Sequence, residues 1–186
     1  MSKNPLVTLI GTTGFEVVGL ILWFEFDRHG IPGGLIVLFI GLVLERLVVI
    51  GIPSTLDVWL GVIGSSWWEY AAWALWFILI GSRGAGPIEV FVLVLFPGLH
   101  FQHAFGVSLK LNKSFSELVR HPGFIAFSLI EAVGGGIWLA FLTSQAPSLL
   151  PHLIIVVVIT VEHIVQGVVL NAINDEGRLK QMSMAN

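Results

Sequence analysis

The chain contains no cysteine, and only 11% of its 186 residues are charged. The missing cysteine excludes disulfides, thiolate metal ligands and thiol nucleophiles, and leaves the redox compartment unmarked. The scarcity of charge sets the chain apart from soluble globular domains, in which about a quarter of the residues are Asp, Glu, Lys or Arg. No basic patch is present, which argues against a nucleic-acid partner, and the net charge of -3 names no other. There is no nucleotide-binding loop, nucleophile elbow or zincin motif either.

What fills the chain is apolar: 55% of the residues are hydrophobic and the mean hydropathy is +0.91. Such a composition makes hydrocarbon the solvent. Apolar runs bounded by Gly, Pro or charge extend over Pro5 to Phe26, Gly34 to Ile52, Leu56 to Ile80, Ile88 to Leu109, Gly123 to Leu142 and Leu153 to Ile173. The expected fold is an all-α membrane protein of six transmembrane helices. They form one domain over residues 1–186, made of three hairpins at approximately 5–52, 56–109 and 123–173 with a cytoplasmic tail at 174–186. The first run is too long for a signal-peptide core and carries Glu16 at its centre, so it reads as a retained span.

Short turns separate the runs: Asp27 to Gly33, Ser82 to Pro87, and Thr143 to His152 with Pro147 and Pro151. Lys3, Lys110, Lys113, Arg120, Arg178 and Lys180 collect on one side, against Arg28 and Arg83 on the other, which predicts cytoplasmic termini. The polar stretch Lys110 to His121 is expected along that surface, with Ser114 to Glu117 capping a short helical turn.

A repeat organises the runs. Glu16 is followed seven residues later by Trp23, Glu69 by Trp76, and Glu131 by Trp138, nearly two helical turns along one face. In each returning helix a further ionisable residue follows at 29 or 31 positions: Glu45, His100 and Glu162. Counted from the ends of their runs, at about 1.5 Å per residue in a core of about 30 Å, all six groups fall near the midplane.

A charge at that depth costs about 2.5 to 3.5 kcal/mol, so five Glu need compensation. Arg46 is the one cation within a run, placed to pair with a carboxylate of a neighbouring helix or to snorkel to the surface. Protons, metal ions or a water-filled path must serve the rest. The ligand inventory for a metal is Glu16, Glu45, Glu69, His100, His103, Glu131, Glu162 and His163. His100 and His103 share a helix face, and Pro97 just before them is expected to kink the helix. His163, next to Glu162, points about 100° away from it.

Oxygen-rich sites with a few imidazoles suit iron or manganese, and carboxylates with histidines on helices are the chemistry of dinuclear carboxylate bundles. The Glu-x-x-His signature of that group is absent, so the analogy covers ligand type alone. Trp23, Trp76 and Trp138 are expected as an aromatic wall on the outer side of the centre. Glycines at 11, 14, 19 and 134 to 136 are read as sites of close helix contact. Trp59 and Trp67 read as interface anchors or packing, His29, His121 and His152 as solvated or interfacial loop residues, and Glu25, Asp57, Glu89 and Glu117 as interfacial charges.

Three functions fit these residues. The first is a membrane-embedded metal-dependent oxidoreductase acting on a lipid-soluble substrate through iron or manganese, in a mononuclear or dinuclear site. The second is a proton or metal-cation transporter or channel using the same cluster. The third is a subunit of a larger membrane complex that holds a pigment or haem through His100 or His163, or serves only as scaffold.

Overall fold

The computed structural model describes residues 5–52, 54–83, 86–111, 113–144 and 149–184. The described residues form helices and no strand. The elements are α1 (Pro5–Arg28), α2 (Gly34–Ile50), α3 (Leu56–Arg83), α4 (Pro87–Val90), a π-helical turn (Phe91–Leu95), α5 (Phe96–Leu111), α6 (Phe115–Arg120), α7 (Pro122–Ser144) and α8 (Leu149–Met184). Lys3, the Gly84-Ala85 part of the second outer turn and Pro147 lie outside the described residues.

Helix boundaries follow local chemistry. Between α1 and α2 the chain reverses on Gly30 (φ 64°) and Gly33 (φ 102°), a backbone region that costs glycine nothing. After α2, Gly51 (φ 85°) stops the helix while its N–H still bonds Leu47 O at 2.8 Å. Pro97 has no N–H to donate to the preceding turn. The helix absorbs this defect one turn earlier, where Phe96 N–H reaches back five residues to Phe91 O. The kink expected at Pro97 thus takes the form of a π turn.

Among the described residues, four helices are long and apolar enough to cross a membrane: residues 6–28, 88–108, 122–141 and 150–175. The other two expected spans form helices as well. α2 is 17 residues long, and α3 interrupts its apolar sequence with Ser65, Ser66, Glu69 and Tyr70. Leu93, Ile36 and Val7 are among many large apolar side chains on the outside, whereas Glu16, Arg46, Glu69, His103, Glu131 and Glu162 are buried. Apolar outside and polar inside is the arrangement that hydrocarbon favours.

Each helix packs most heavily on a near neighbour in sequence: α1 on α2, α3 on α5, and α7 on α8. Further contacts of α2 with α3, α5 with α7 and α8 with α1 close the bundle. Glycines set the closest approaches. A Cβ on Gly41 would stand 2.9 Å from Gly19 Cα, one on Gly134 would overlap Val158, and one on Gly135 would lie 2.0 Å from the Trp73 ring. Close contact, expected from the glycine spacing, is therefore found at Gly19 and at Gly134-Gly135, but Gly14 faces open space.

The last connection differs from expectation. α8 begins at Leu149, so Pro151 and His152 lie in its first turn, where a missing N–H is harmless. His152 is not a solvated loop residue: its Nε2 donates to Glu25 at 3.2 Å, and its ring lies beside Phe24 and Trp138. Glu25 also pairs with Arg28 at 3.5 Å and with His29 at 3.4 Å, so this interfacial acid latches the end of α1 to the start of α8. Ser114 does precede the short helix α6, but it caps through its backbone oxygen, 3.1 Å from Glu117 N, and its hydroxyl meets Ser116 instead.

Gly135→Ala is expected to lower the thermal unfolding midpoint in detergent, at a cost of about 1–3 kcal/mol from overpacking against Trp73. Gly14→Ala should leave it unchanged or raise it, since a helical Gly-to-Ala change in open space gains up to about 1 kcal/mol. Equal midpoints would contradict the close approach of Trp73 to α7.

Candidate metal centre

Five carboxylates meet in the bundle. Glu16 (α1), Glu45 (α2), Glu69 (α3), Glu131 (α7) and Glu162 (α8) line one cavity with Arg46, His103 and His163, joined by Gln102 and Gln166. The cavity itself measures about 20 Å³, room for one or two atoms the size of a water or a metal ion.

One pattern of contacts occurs three times around it. Arg46 on α2 donates through Nη2 to the carboxylate of Glu69 on α3, and through Nε to Ser65 Oγ on the same helix at 2.9 Å. His103 on α5 lies 3.2 Å from Glu131 on α7, and its Nδ1 is 2.9 Å from Ser128 Oγ there. His163 on α8 lies 3.3 Å from Glu16 on α1, with Nδ1 3.0 Å from Thr13 Oγ1. In each case a base on a returning helix grips an acid on the next helix, together with a hydroxyl three or four residues before that acid. The third grip returns to α1 and closes the ring.

Arg46 is the most heavily bonded member. Besides Glu69 and Ser65 it donates to Glu45 at 2.9 Å and to Leu42 O at 3.0 Å, so it pairs inside the bundle and does not snorkel. The other acids are less well served. Glu16 Oε1, Glu69 Oε1, Glu131 Oε2 and Glu162 Oε1 are buried without a hydrogen-bond partner among the described residues. Buried polar atoms in that state are costly, and here they converge.

Two sets of ligand atoms each lie within 4.8 Å of one another: His103, Glu131 and Glu162, and Glu16, Glu69 and Glu131. Glu131 belongs to both. The cluster thus has the composition of a carboxylate-rich centre, and Glu131 is common to its two groups of ligand atoms.

The histidines divide. His100, expected as a ligand, does not line the cavity; it stacks on Phe96 at 5.5 Å, and its Nε2 donates to Val119 O at 2.8 Å. Three residues of helix separate it from His103, and the resulting rotation turns it toward α6 and α7. It still touches the site through a chain of hydrogen bonds. In neutral His100 the Nε2 proton goes to Val119 O, so Nδ1 accepts from Ser128 Oγ at 3.2 Å. Ser128 then accepts from His103 Nδ1, which leaves a lone pair on His103 Nε2 facing Glu131 and Glu162. A bare nitrogen opposite two carboxylates is the arrangement of a metal ligand oriented by its outer neighbours.

The tryptophan wall is also displaced. Trp23, Trp76 and Trp138 sit in the buried apolar core rather than on the cavity lining. The ring is covered instead by a layer one turn away on the same helices: Leu20, Leu42, Trp73, Leu99 and Ile159, all 0% exposed. On α7 that level is Gly135, and the Trp73 ring fills its space.

Thr13, Ser65, Ser128, Gln102, Gln166 and Trp73 were not expected from the sequence, yet signals for most are there. A hydroxyl stands three or four residues before each odd-helix Glu, and Gln166 follows His163 by three, spacings that share a helix face. The returning helices carry Glu45-Arg46, Gln102-His103 and Glu162-His163, an acid or amide followed by a base. In that register the base of the second pair is His103, three residues past His100.

No protein-family model matches the chain, and neither a curated protein nor a solved structure does. Fold and site define an all-helical protein with membrane-compatible helices and a buried Glu/His cluster able to hold metal.

Arg46→Leu is expected to cost about 3–5 kcal/mol in chemical unfolding, because it strands Glu69 and Glu45 without their cation. Removing the acid as well, in Arg46→Leu/Glu69→Leu, should recover part of that loss. A double variant less stable than the single one would mean that Glu69 is satisfied from elsewhere.

Proposed function

We propose that the chain is a multi-pass membrane protein whose three repeated hairpins enclose a dinuclear transition-metal centre of the iron or manganese class. Its termini are cytoplasmic, and it works as an oxidoreductase on a lipid-soluble substrate. The observation that carries this reading is the position of Glu131, whose carboxylate oxygens belong to both candidate ligand triads.

Charge supports the stoichiometry. The cavity brings together five carboxylates and one guanidinium, which if ionised leave four negative charges, the charge of two divalent cations. The threefold recurrence of base, acid and hydroxyl supports the repeat, with Arg46 standing where the other two units have His103 and His163. In the first unit a tethered cation replaces an imidazole, so ions are needed in the other two only. His103 and His163 would hold them with Glu16, Glu69, Glu131 and Glu162. Such ions supply Lewis-acid and redox chemistry, while the chain orients the ligands and excludes bulk water.

The choice between enzyme and transporter turns on access. The layer of Leu20, Leu42, Trp73, Leu99 and Ile159 closes one side of the ring completely, which favours a resident centre over an ion in transit. On the far side of Trp76, an all-apolar groove of about 310 Å³ between the π turn and α7 offers a lipid-soluble substrate a seat that this layer separates from the ring.

Elemental analysis of protein purified without chelators is expected to give two iron or manganese ions per chain. Glu131→Gln should bring this to one or none, while His121→Ala, outside the cavity, keeps two. Fewer than one ion per chain in the unaltered protein, with no stabilisation by added metal, removes the proposal. Sealed liposomes containing the protein should admit neither Mn²⁺ nor protons faster than empty ones; flux abolished by Glu16→Gln would select the transporter instead.

A further inference from the structure

The ring is closed on one side and open on the other. Toward the ends where α1 starts and α2 stops, a cavity of about 300 Å³ lies between α1, α2 and α8 and reaches His163 and Gln166, which also line the ring. Its outer rim carries Asn171 and Asn174, both exposed, and its wall carries Thr8 and Thr12. A second cavity of about 80 Å³ between α2, α5 and α8 shares Gln166, Val49 and Leu170 with the first, and Arg46, Gln102 and His103 with the ring.

The lining chemistry of this side is specific. Between the rim and His163 the polar groups are neutral hydroxyls and amides, among them Thr12, whose hydroxyl shares its proton between Thr8 O and Leu9 O. Neutral oxygens ease the passage of a hydrated cation without trapping it, and the first fixed charges it meets belong to the ring. Gly167 on the cavity wall has no atom within 4 Å of where a Cβ would stand, so the opening there is real space. One helical turn beyond the ring in the opposite direction, Leu42 and Ile159 are fully buried in apolar packing.

We propose that the carboxylate ring is loaded from one face only, with small divalent cations entering at Asn171 and Asn174 and passing Thr12 and Gln166. This rests on the metal reading for the identity of the traveller, but the route itself is a property of the cavities. The face is the one that holds the C-terminal half of α8.

The absence of native cysteine makes the test direct. Single-cysteine variants Asn171→Cys, Gly167→Cys, Gln166→Cys, Leu42→Cys and Ile159→Cys are treated, in intact cells and in inverted vesicles, with a membrane-impermeant cationic methanethiosulfonate. The first three are expected to react from the side bearing the C-terminus, and the last two at least tenfold more slowly from either side. Reaction of Leu42→Cys or Ile159→Cys as fast as Gln166→Cys would overturn the one-sided route. So would a Gln166→Cys that stays inert while Asn171→Cys reacts. In a second arm, Gly167→Trp fills the cavity, and Co²⁺ loading followed by visible absorption should slow at least tenfold while reaching the same final content; an unchanged rate overturns the route. Should the unaltered protein bind no Co²⁺ at all, the metal reading falls, and the labelling pattern alone decides the route.

Discussion

Five carboxylates crowd a cavity of about 20 Å³ around a single guanidinium, and this imbalance governs the rest of the bundle. A charge in the middle of a bilayer costs about 2.5–3.5 kcal/mol when it has no partner, so every helix that brings an acid must also bring its compensation. The hydroxyls of Thr13, Ser65 and Ser128, the imidazoles of His103 and His163, and the four bonds of Arg46 are that compensation. It is incomplete, because four carboxylate oxygens still have no hydrogen-bond partner among the described residues. On the tryptophan side the packing keeps bulk water from making up the difference, whereas the side toward Gln166 opens into polar-lined cavities. Gly19 against Gly41 draws α1 onto α2, and Trp73 fitted over Gly135 draws α3 onto α7, so the layer next to the ring admits nothing.

The three units around the ring are alike in plan and unequal in chemistry. Arg46 carries a permanent charge and donates only, so its unit is self-neutralising. His103 and His163 offer a nitrogen that can accept, and the two other units are correspondingly unfinished. For His103 the tautomer follows from a chain that runs back through Ser128 and His100 to the carbonyl of Val119, which ties the ring to the short helix α6. His100 is thus linked to the ring without lining it.

Much of this was legible in the sequence. The six apolar runs correspond to helices with ends displaced by a few residues, because apolar length, glycine and proline act locally; the exception is α8, which continues to Met184 through most of the segment expected as a tail. The acids at positions 16, 45, 69, 131 and 162 were placed at one depth by counting residues, and they do share one cavity. Of the two histidines expected at the centre, the packing of α5 on α7 brings His103 to the cavity and leaves His100 outside its lining, a choice that a spacing of three along one helix does not make. The three repeat tryptophans were placed on the right helices but two turns too far from the ring to wall it. Trp73, nearer by three residues than Trp76, takes that role because α7 offers it the space above Gly135. His152 closes a segment in which two prolines precede it and so reads as a loop residue, yet Pro151 is accommodated in the first turn of α8.

By itself the sequence determined which groups occur at which height, since the rise of a helix is about 1.5 Å per residue whatever surrounds it. It determined as well that acids outnumber cations at that height. The tertiary structure alone decided which way each helix is rotated and which helix stands beside which. It is this that sets His163 against Thr13 across 150 positions of chain and makes Glu131 common to two ligand sets. Rotation and neighbour order come from side-chain packing between helices, whose contacts are spread over the whole chain and leave no local mark at any one residue.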